Sequence, residues 1–185
     1  MSFFSHLVQP YRKGEKNFER GRAAELRRDF QKAEDYFTIA AQAFDEHFTK
    51  KAAAGKDTRT SHLVMAGICY TRIGRFEDGL RILEQCIETK DIPDAFLHAG
   101  YAAAKLGLAE KAVSHWKSFP DWAGQRVIAN ALKEQVKAIR SSEKPDLQGA
   151  CEAVAKAVQE QDKVNQNDRK FRDRGQRDRE HRQGY

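Results

Sequence analysis

The chain has 185 residues, of which 40% are hydrophobic and 32% are charged, and its formal net charge is +6. This length allows one core, but the modest apolar fraction suits a thin stack of helices better than a compact globule. The three cysteines are far apart, with no Cys-x-x-Cys pair and no histidine at ligand spacing, so neither a disulfide framework nor a zinc site is indicated. Only four prolines and twelve glycines are present, and we expect an all-α chain in a reducing compartment.

Residues 1–9 form a short apolar lead-in that contains Phe3, Phe4, Leu7 and Val8. The lead-in is too short for the apolar core of a signal peptide, and no other stretch approaches the length of a transmembrane helix. We expect it to pack against the first helical hairpin. We also expect a cytoplasmic protein without a membrane partner.

Two helices are predicted after the lead-in, because small and large apolar residues recur at spacings of three and four. Pro10 suits the start of the first helix, since its missing N–H costs nothing there. Alternating large and small side chains allow the two helices to interdigitate. The two stripes consist of Tyr11, Gly14, Phe18, Gly21 and Ala24, and of Phe30, Ala33, Phe37, Ala40, Phe44 and Phe48.

The stretch from Gly67 to Gly79 has the pattern of a helix end, a tight turn and a helix start. Gly67 is small enough to let a neighbouring helix approach, and Tyr70 lies on the same helical face. Gly74 is expected to end the first helix, because only glycine takes a left-handed C-terminal position without steric cost. Phe76 begins the next helix.

A separation of 33 residues recurs between this stretch and the one that follows it, which indicates internal repeats. A longer separation of 46 residues, from Ala33 to Gly79, relates it to the first hairpin. We infer that about a dozen added residues, His47 to Thr58, lengthen the second helix and form a loop. The pairs of small residues that keep the 33-residue separation are Gly67 and Gly100, Gly74 and Gly107, and Gly79 and Ala112.

This alternation of small and large residues around a glycine turn resembles the tetratricopeptide repeat. The resemblance extends over about residues 14–119. It implies an all-α fold, a right-handed superhelical stack of antiparallel helix hairpins, whose first helices line a concave face that binds a peptide or helix of another protein. The predicted repeats are residues 14–58, 60–92 and 93–120, and residues 121–162 of the 10–162 domain form a divergent helical hairpin that caps the stack.

Carried over position by position, the resemblance implies a partner-binding groove. Its apolar strip and its cations would match a partner segment with apolar and acidic residues. The alternative is that the apolar side chains pack against adjacent helices. Charged residues at positions 68 and 101 are expected to abolish binding and to leave the helicity intact. The groove residues are Phe18, Arg22, Leu26, Val64, Ile68, Arg72, Leu97, Tyr101 and Lys105.

Residues 163–185 form a basic tail that supplies +4 of the net charge. With few large apolar residues the tail cannot offset the entropy cost of ordering, and we expect it to be flexible. The alternative near residues 163–172 is a frayed continuation of the helix that precedes the tail. Its mixed charges suit a solvated extension, and the alternative is an RNA-associated accessory protein that binds nucleic acid through this tail. The candidate nucleic-acid contacts are Arg169, Lys170, Arg172, Arg174, Arg177, Arg179 and Arg182.

The sequence contains no phosphate-binding loop, no nucleophile elbow and no carboxylate pair with a defined partner, so no catalytic residue, cofactor or metal ligand is predicted. The six histidines are scattered and are interpreted as surface or packing residues. We therefore predict a non-enzymatic protein–protein interaction module that serves as an adaptor, scaffold or chaperone. The sequence leaves the identity of the partner and the oligomeric state open.

If the tail binds RNA, removal of residues 163–185 should lower the affinity for single-stranded RNA. The loss should be greatest at low salt, because each neutralised phosphate steepens the salt dependence. Fluorescence anisotropy with a labelled oligonucleotide at two salt concentrations measures this affinity. An affinity that the deletion leaves unchanged would contradict RNA binding by the tail.

Overall fold

The computed structural model describes residues 9–183, and it describes side chains for residues 9–168. Within this part the chain is all-helical, as predicted, and contains no strand. The apolar lead-in lies outside the described residues except for Gln9. The helices are α1 (Pro10–Leu26), α2 (Phe30–Ala53), α3 (Thr60–Arg72), α4 (Phe76–Thr89), α5 (Pro93–Lys105), α6 (Ala109–Lys117), α7 (Arg126–Arg140) and α8 (Leu147–Gln183), with a 3-10 helix at Asp121–Ala123.

Consecutive helices pack against each other in pairs, α1 with α2, α3 with α4, α5 with α6, and α7 with α8. Contacts of α2 with α3, α4 with α5, and α6 with α7 join one pair to the next. In addition α3 contacts both α1 and α5, and α8 packs back onto α5. The first helices of the three leading pairs therefore lie side by side, and α8 reaches the same part of the fold.

A glycine on each of α1, α3 and α5 faces a large side chain of the next helix. A Cβ atom added to Gly67 would overlap the Leu83 side chain, so the two helices approach as closely as the sequence predicts. The separation between successive contacts is 46 and then 33 residues, which are the separations found in the sequence. The three contacts are Gly21 with Phe37, Gly67 with Leu83, and Gly100 with Trp116.

Tyr70 fills the space beside Gly67 and is almost completely buried. Its hydroxyl donates a hydrogen bond to Asp45 of α2 at 2.6 Å, and the Arg75 guanidinium lies 4.3 Å from its ring centroid. Arg75 also donates to Asp45 at 2.7 Å. Burial, with the hydrogen bond to Asp45, raises the pKa of the Tyr70 hydroxyl. These contacts connect α2 to the turn between α3 and α4.

The glycine turns have the predicted backbone conformation. Gly74 and Gly107 follow α3 and α5 with φ of 80° and 77°, in the left-handed region. The segment added in the first repeat is also as expected, because α2 has 24 residues, whereas α4 has 14 and α6 has nine. Residues 54–59 form the loop that follows α2.

The basic tail differs from the prediction in its secondary structure. Residues 163–183 are helical and continue α8, which therefore has no end near residue 162. This segment has one glycine and no proline, and it is rich in arginine and glutamine, which have high helix propensity. The helix extends further than residue 172, and the flexibility of the tail stays a prediction. Although α8 has 37 residues, neither it nor another described helix is long and apolar enough to cross a membrane.

Gly67→Ala is expected to destabilise the protein by about 1–2 kcal/mol, because displacing Leu83 outweighs the gain in helix propensity. Leu83→Ala should cost about 2–5 kcal/mol through the cavity that it leaves. The double variant should cost less than the two changes added together, since the alanine methyl at position 67 partly fills that cavity. Urea unfolding followed by circular dichroism measures all three free energies. Strict additivity would contradict the contact.

Candidate functional site

The nine predicted groove residues do not form one open surface. Phe18, Val64, Ile68 and Leu97 belong to the core, and each has at most 9% of its surface exposed. They pack against other helices, which is the alternative that the sequence left open. A charge at position 68 would consequently disturb folding, so the expectation that helicity survives this change is corrected.

The part of the face nearest the end of α5 is covered by α8. Lys105 Nζ donates a hydrogen bond to Gln148 Oε1 at 2.7 Å, and the Tyr101 side chain is half-buried. Further along α8, Asp162 lies 3.5 Å from an Arg22 guanidinium nitrogen of α1. The face that the sequence predicted to be an open groove therefore lies under a helix of the same chain.

A cavity of about 210 Å³ remains between α8, the ends of α1 and α3, and the turn between α1 and α2. Three of the predicted groove residues, Arg22, Leu26 and Arg72, line this cavity. We call it the α1–α8 cavity. Its other lining residues are Glu25, Arg28 and Phe30, and, on α8, Ala155, Val158, Gln159, Asp162, Lys163 and Gln166.

Glu25 holds two of the arginines in the α1–α8 cavity. One carboxylate oxygen accepts a hydrogen bond from Arg72 Nε at 2.6 Å, and the other accepts one from Arg22 Nη1 at 2.9 Å. Together with Asp162, which also pairs with Arg22, Glu25 compensates the two positive charges within the chain. Arg28 and Lys163 are exposed and have no ion pair within the described residues. The cavity thus has an excess of positive charge.

Two large apolar side chains are exposed at the same cavity. Leu26 is 45% exposed and Phe30 is 57% exposed. Leu26 ends α1 and Phe30 begins α2, so they lie on either side of the turn that contains Arg28. Apolar surface and uncompensated positive charge therefore lie next to each other. Such a combination suits a ligand that carries both an apolar and an acidic group.

Two titratable side chains of α5 lie one helical turn apart near the same arginines. Burial, together with the charge of Asp162, raises the pKa of the Asp94 carboxyl, whereas Arg22 and Arg72 lower it. Burial lowers the pKa of His98 well below its ordinary value, and the two arginines act in the same direction. His98 Nδ1 is buried without a hydrogen-bond partner in the described part. The sequence interpretation treated His98 as a packing residue and missed its i, i+4 relation to Asp94.

A second polar cluster lies where the start of α1 meets α2 and α3. His47 Nε2 and His62 Nδ1 are 3.1 Å apart, and His62 Nε2 is 3.2 Å from Glu15 Oε1. The Tyr11 ring stacks on His62 with centroids 5.3 Å apart. Burial and the neighbouring His62 lower the pKa of His47. The sequence did not reveal this pair, because the added loop separates the two histidines by 15 residues.

A larger cavity of about 410 Å³ lies between α2, the added loop, α3 and α4. No predicted groove residue lines it. Its charged lining residues are of both signs, Asp45 and Asp57 with Lys56 and Arg81, so it shows no preference for one kind of charge. We therefore take the α1–α8 cavity as the candidate functional site.

Little in the described part favours covalent chemistry. Cys69, Cys86 and Cys151 are buried free thiols. Burial raises the pKa of each thiol, and that of Cys151 to about 11, which makes them weak nucleophiles at neutral pH. Among the described side chains no three acidic, histidine or cysteine residues are grouped so that they could hold a metal ion. None of the three cysteines lines the α1–α8 cavity.

The candidate nucleic-acid contacts of the tail belong to the C-terminal part of α8. Their side chains lie outside the described residues, so binding of RNA by this segment stays a prediction. These residues are Arg169, Lys170, Arg172, Arg174, Arg177, Arg179 and Arg182.

Comparison with known proteins identifies no relative. No family model matches the chain, no curated protein matches it, and no solved structure matches it. The resemblance to tetratricopeptide repeats therefore depends on the residues of this chain, and the assignment of the site depends on its geometry.

The free energy of unfolding is expected to fall as the pH is lowered from 7.5 to 5.5. His47 and His98 have lowered pKa values in the folded protein. In the unfolded chain they take up protons near the ordinary histidine pKa of about 6.5. The unfolded state then binds more protons, and acid favours it, whereas this contribution to stability is complete above that pH.

Thermal unfolding at several pH values measures this dependence. The variant His47→Gln with His98→Gln should lose much of it, because neither glutamine titrates. A pH dependence that is the same in this variant as in the original protein would show that other groups cause it.

Proposed function

We propose that the chain is a non-catalytic protein–protein interaction module of the tetratricopeptide type, which acts as a cytoplasmic adaptor, scaffold or chaperone. In this proposal it binds a segment of a partner protein in the α1–α8 cavity. The observation that carries the proposal is the position of Arg28 and Lys163, two cations without an ion pair among the described residues, beside the exposed Leu26 and Phe30.

The repeat architecture is supported by the contacts between helices. The glycine contacts recur with the separations of the sequence repeat, and they join the first and second helix of each leading pair in the same way. Similar helix pairs that stack through similar contacts build a superhelix. We therefore include a right-handed superhelical stack, capped by α7 and α8, in the proposal.

The size of the cavity favours a protein segment over a small molecule. Pockets that enclose drug-sized ligands usually have about 300–1,000 Å³, whereas this cavity has about 210 Å³. It therefore accommodates a side chain better than an entire cofactor. A partner segment would place one large apolar side chain in the cavity and the rest of its length on the surrounding surface.

The two kinds of contact contribute differently to binding. Burial of one large apolar side chain contributes about 1.5–3 kcal/mol. An exposed ion pair with Arg28 or Lys163 contributes about 0.2–1 kcal/mol. In the proposed complex the apolar side chain therefore provides most of the affinity. The charges favour apolar segments that also carry acidic residues over apolar segments that do not.

Phe30→Ala is expected to weaken binding of acidic, apolar peptides about tenfold, because it removes apolar contact area at the cavity. The probes are labelled twelve-residue peptides with amidated C-termini, each with a Leu or Phe pair flanked by Asp and Glu. Fluorescence anisotropy measures their affinity for the full chain, and circular dichroism checks the helicity of each variant.

Trp122→Ala is the matched control, because Trp122 is 70% exposed and does not line the cavity. It should leave the affinity unchanged. The proposal fails if no acidic, apolar peptide binds, or if Phe30→Ala binds these peptides as well as the control does.

A further inference from the structure

In the turn between α1 and α2, an arginine occupies the position that glycine occupies in the α3–α4 and α5–α6 turns. Arg28 has φ of 62°, in the left-handed region that Gly74 and Gly107 also occupy. Gly74 follows Arg28 by 46 residues, and Gly107 follows Gly74 by 33, so the three residues keep the separations of the glycine contacts. Within the described residues Arg28 is the one residue other than glycine with a positive φ.

The backbone hydrogen bonds confirm that the three turns are equivalent. Arg28 N–H donates to the carbonyl of Glu25, three residues earlier, at 2.8 Å, and the next N–H, of Asp29, donates to the carbonyl of Ala24 at 3.0 Å. The N–H groups of Gly74 and Gly107 likewise donate to the carbonyls three residues earlier, and the N–H groups of the residues that follow them, Arg75 and Leu108, donate to the carbonyls five residues earlier. This arrangement at a helix end ordinarily has glycine in the left-handed position. A side chain there is strained by its Cβ atom.

Among the described residues, no contact of the Arg28 side chain compensates for this strain. It is exposed and makes no hydrogen bond or ion pair with another described side chain, and it lines the α1–α8 cavity. Arg22 and Arg72, in contrast, are both held by Glu25. Strained backbone conformations cluster where function requires a particular residue.

We propose that Arg28 binds a side-chain carboxylate of the partner segment and selects an acidic segment over a neutral one. The inference depends on the function proposed above. A guanidinium presents two parallel N–H donors to a carboxylate, which a lysine ammonium does not. Both oxygens of Glu25 are used by Arg22 and Arg72, so this carboxylate does not compete for Arg28. Lys163 adds a second positive charge from α8.

Arg28→Gly tests the inference, because it should change stability and binding in opposite directions. The melting temperature should rise by about 2–4 °C, since glycine takes the left-handed conformation without strain. The affinity for the acidic peptides should fall about three- to fivefold through loss of the ion pair. The affinity for matched peptides with Asn and Gln in place of Asp and Glu should stay unchanged.

Two further variants separate charge from conformation. Arg28→Lys keeps the charge and the strained conformation, so its melting temperature should match that of the original protein, and its preference for acidic peptides should be partly retained. Arg27→Ala removes the neighbouring exposed arginine, which has φ of −88° and does not line the cavity. It should change the affinity for acidic peptides less than Arg28→Gly does.

The outcomes distinguish this inference from the proposed function. If Arg28→Gly leaves the preference for acidic peptides intact while Phe30→Ala still weakens binding, Arg28 is not the selecting residue and the proposed site stands. The same conclusion follows if Arg27→Ala reduces the preference as much as Arg28→Gly. If neither Arg28→Gly nor Phe30→Ala affects binding, the α1–α8 cavity is not the binding site.

Discussion

The fold depends on the close approach of paired helices at glycine. Leu83 and Trp116 occupy space above Gly67 and Gly100 that a Cβ atom would fill, and each contact fixes how two helices lie against each other. Single van der Waals contacts are weak, but a packed core contains many of them. The glycine contact stabilises the fold because it brings the other apolar side chains of the two helices into contact. The pairs are joined by contacts of α2 with α3 and of α4 with α5, and α1, α3 and α5 consequently lie side by side.

Sequence and structure agree where the deciding interactions are local or periodic. The glycine turn at Gly74 and the lengthened α2 are read from neighbouring residues and from the spacing of small residues. The covering of the predicted face could not be read in this way, because Asp162 approaches Arg22 from 140 residues away. Spacing shows which side of a helix Ile68 occupies, but it does not show which other element packs there.

Arg28 shows a second limit of predicting structure from the pattern of residue types. The first turn contains no glycine, and its left-handed residue is recognised only when the 46-residue offset is applied to Gly74. The departure from the repeat coincides with the cavity at which apolar and positively charged side chains meet. The first repeat therefore differs from the others in its turn and its added segment, whereas it keeps the glycine contact between its two helices.

The continuity of α8 fixes the distance between the α1–α8 cavity and the C-terminal end of this helix. Gln166 lines the cavity, and the helix continues without interruption to Gln183. At 1.5 Å per residue these positions are about 25 Å apart along the helix axis. If the proposed segment binds in the cavity, a second molecule at the C-terminal end of α8 would lie at a set distance from it. The helix would then act as a spacer between the two.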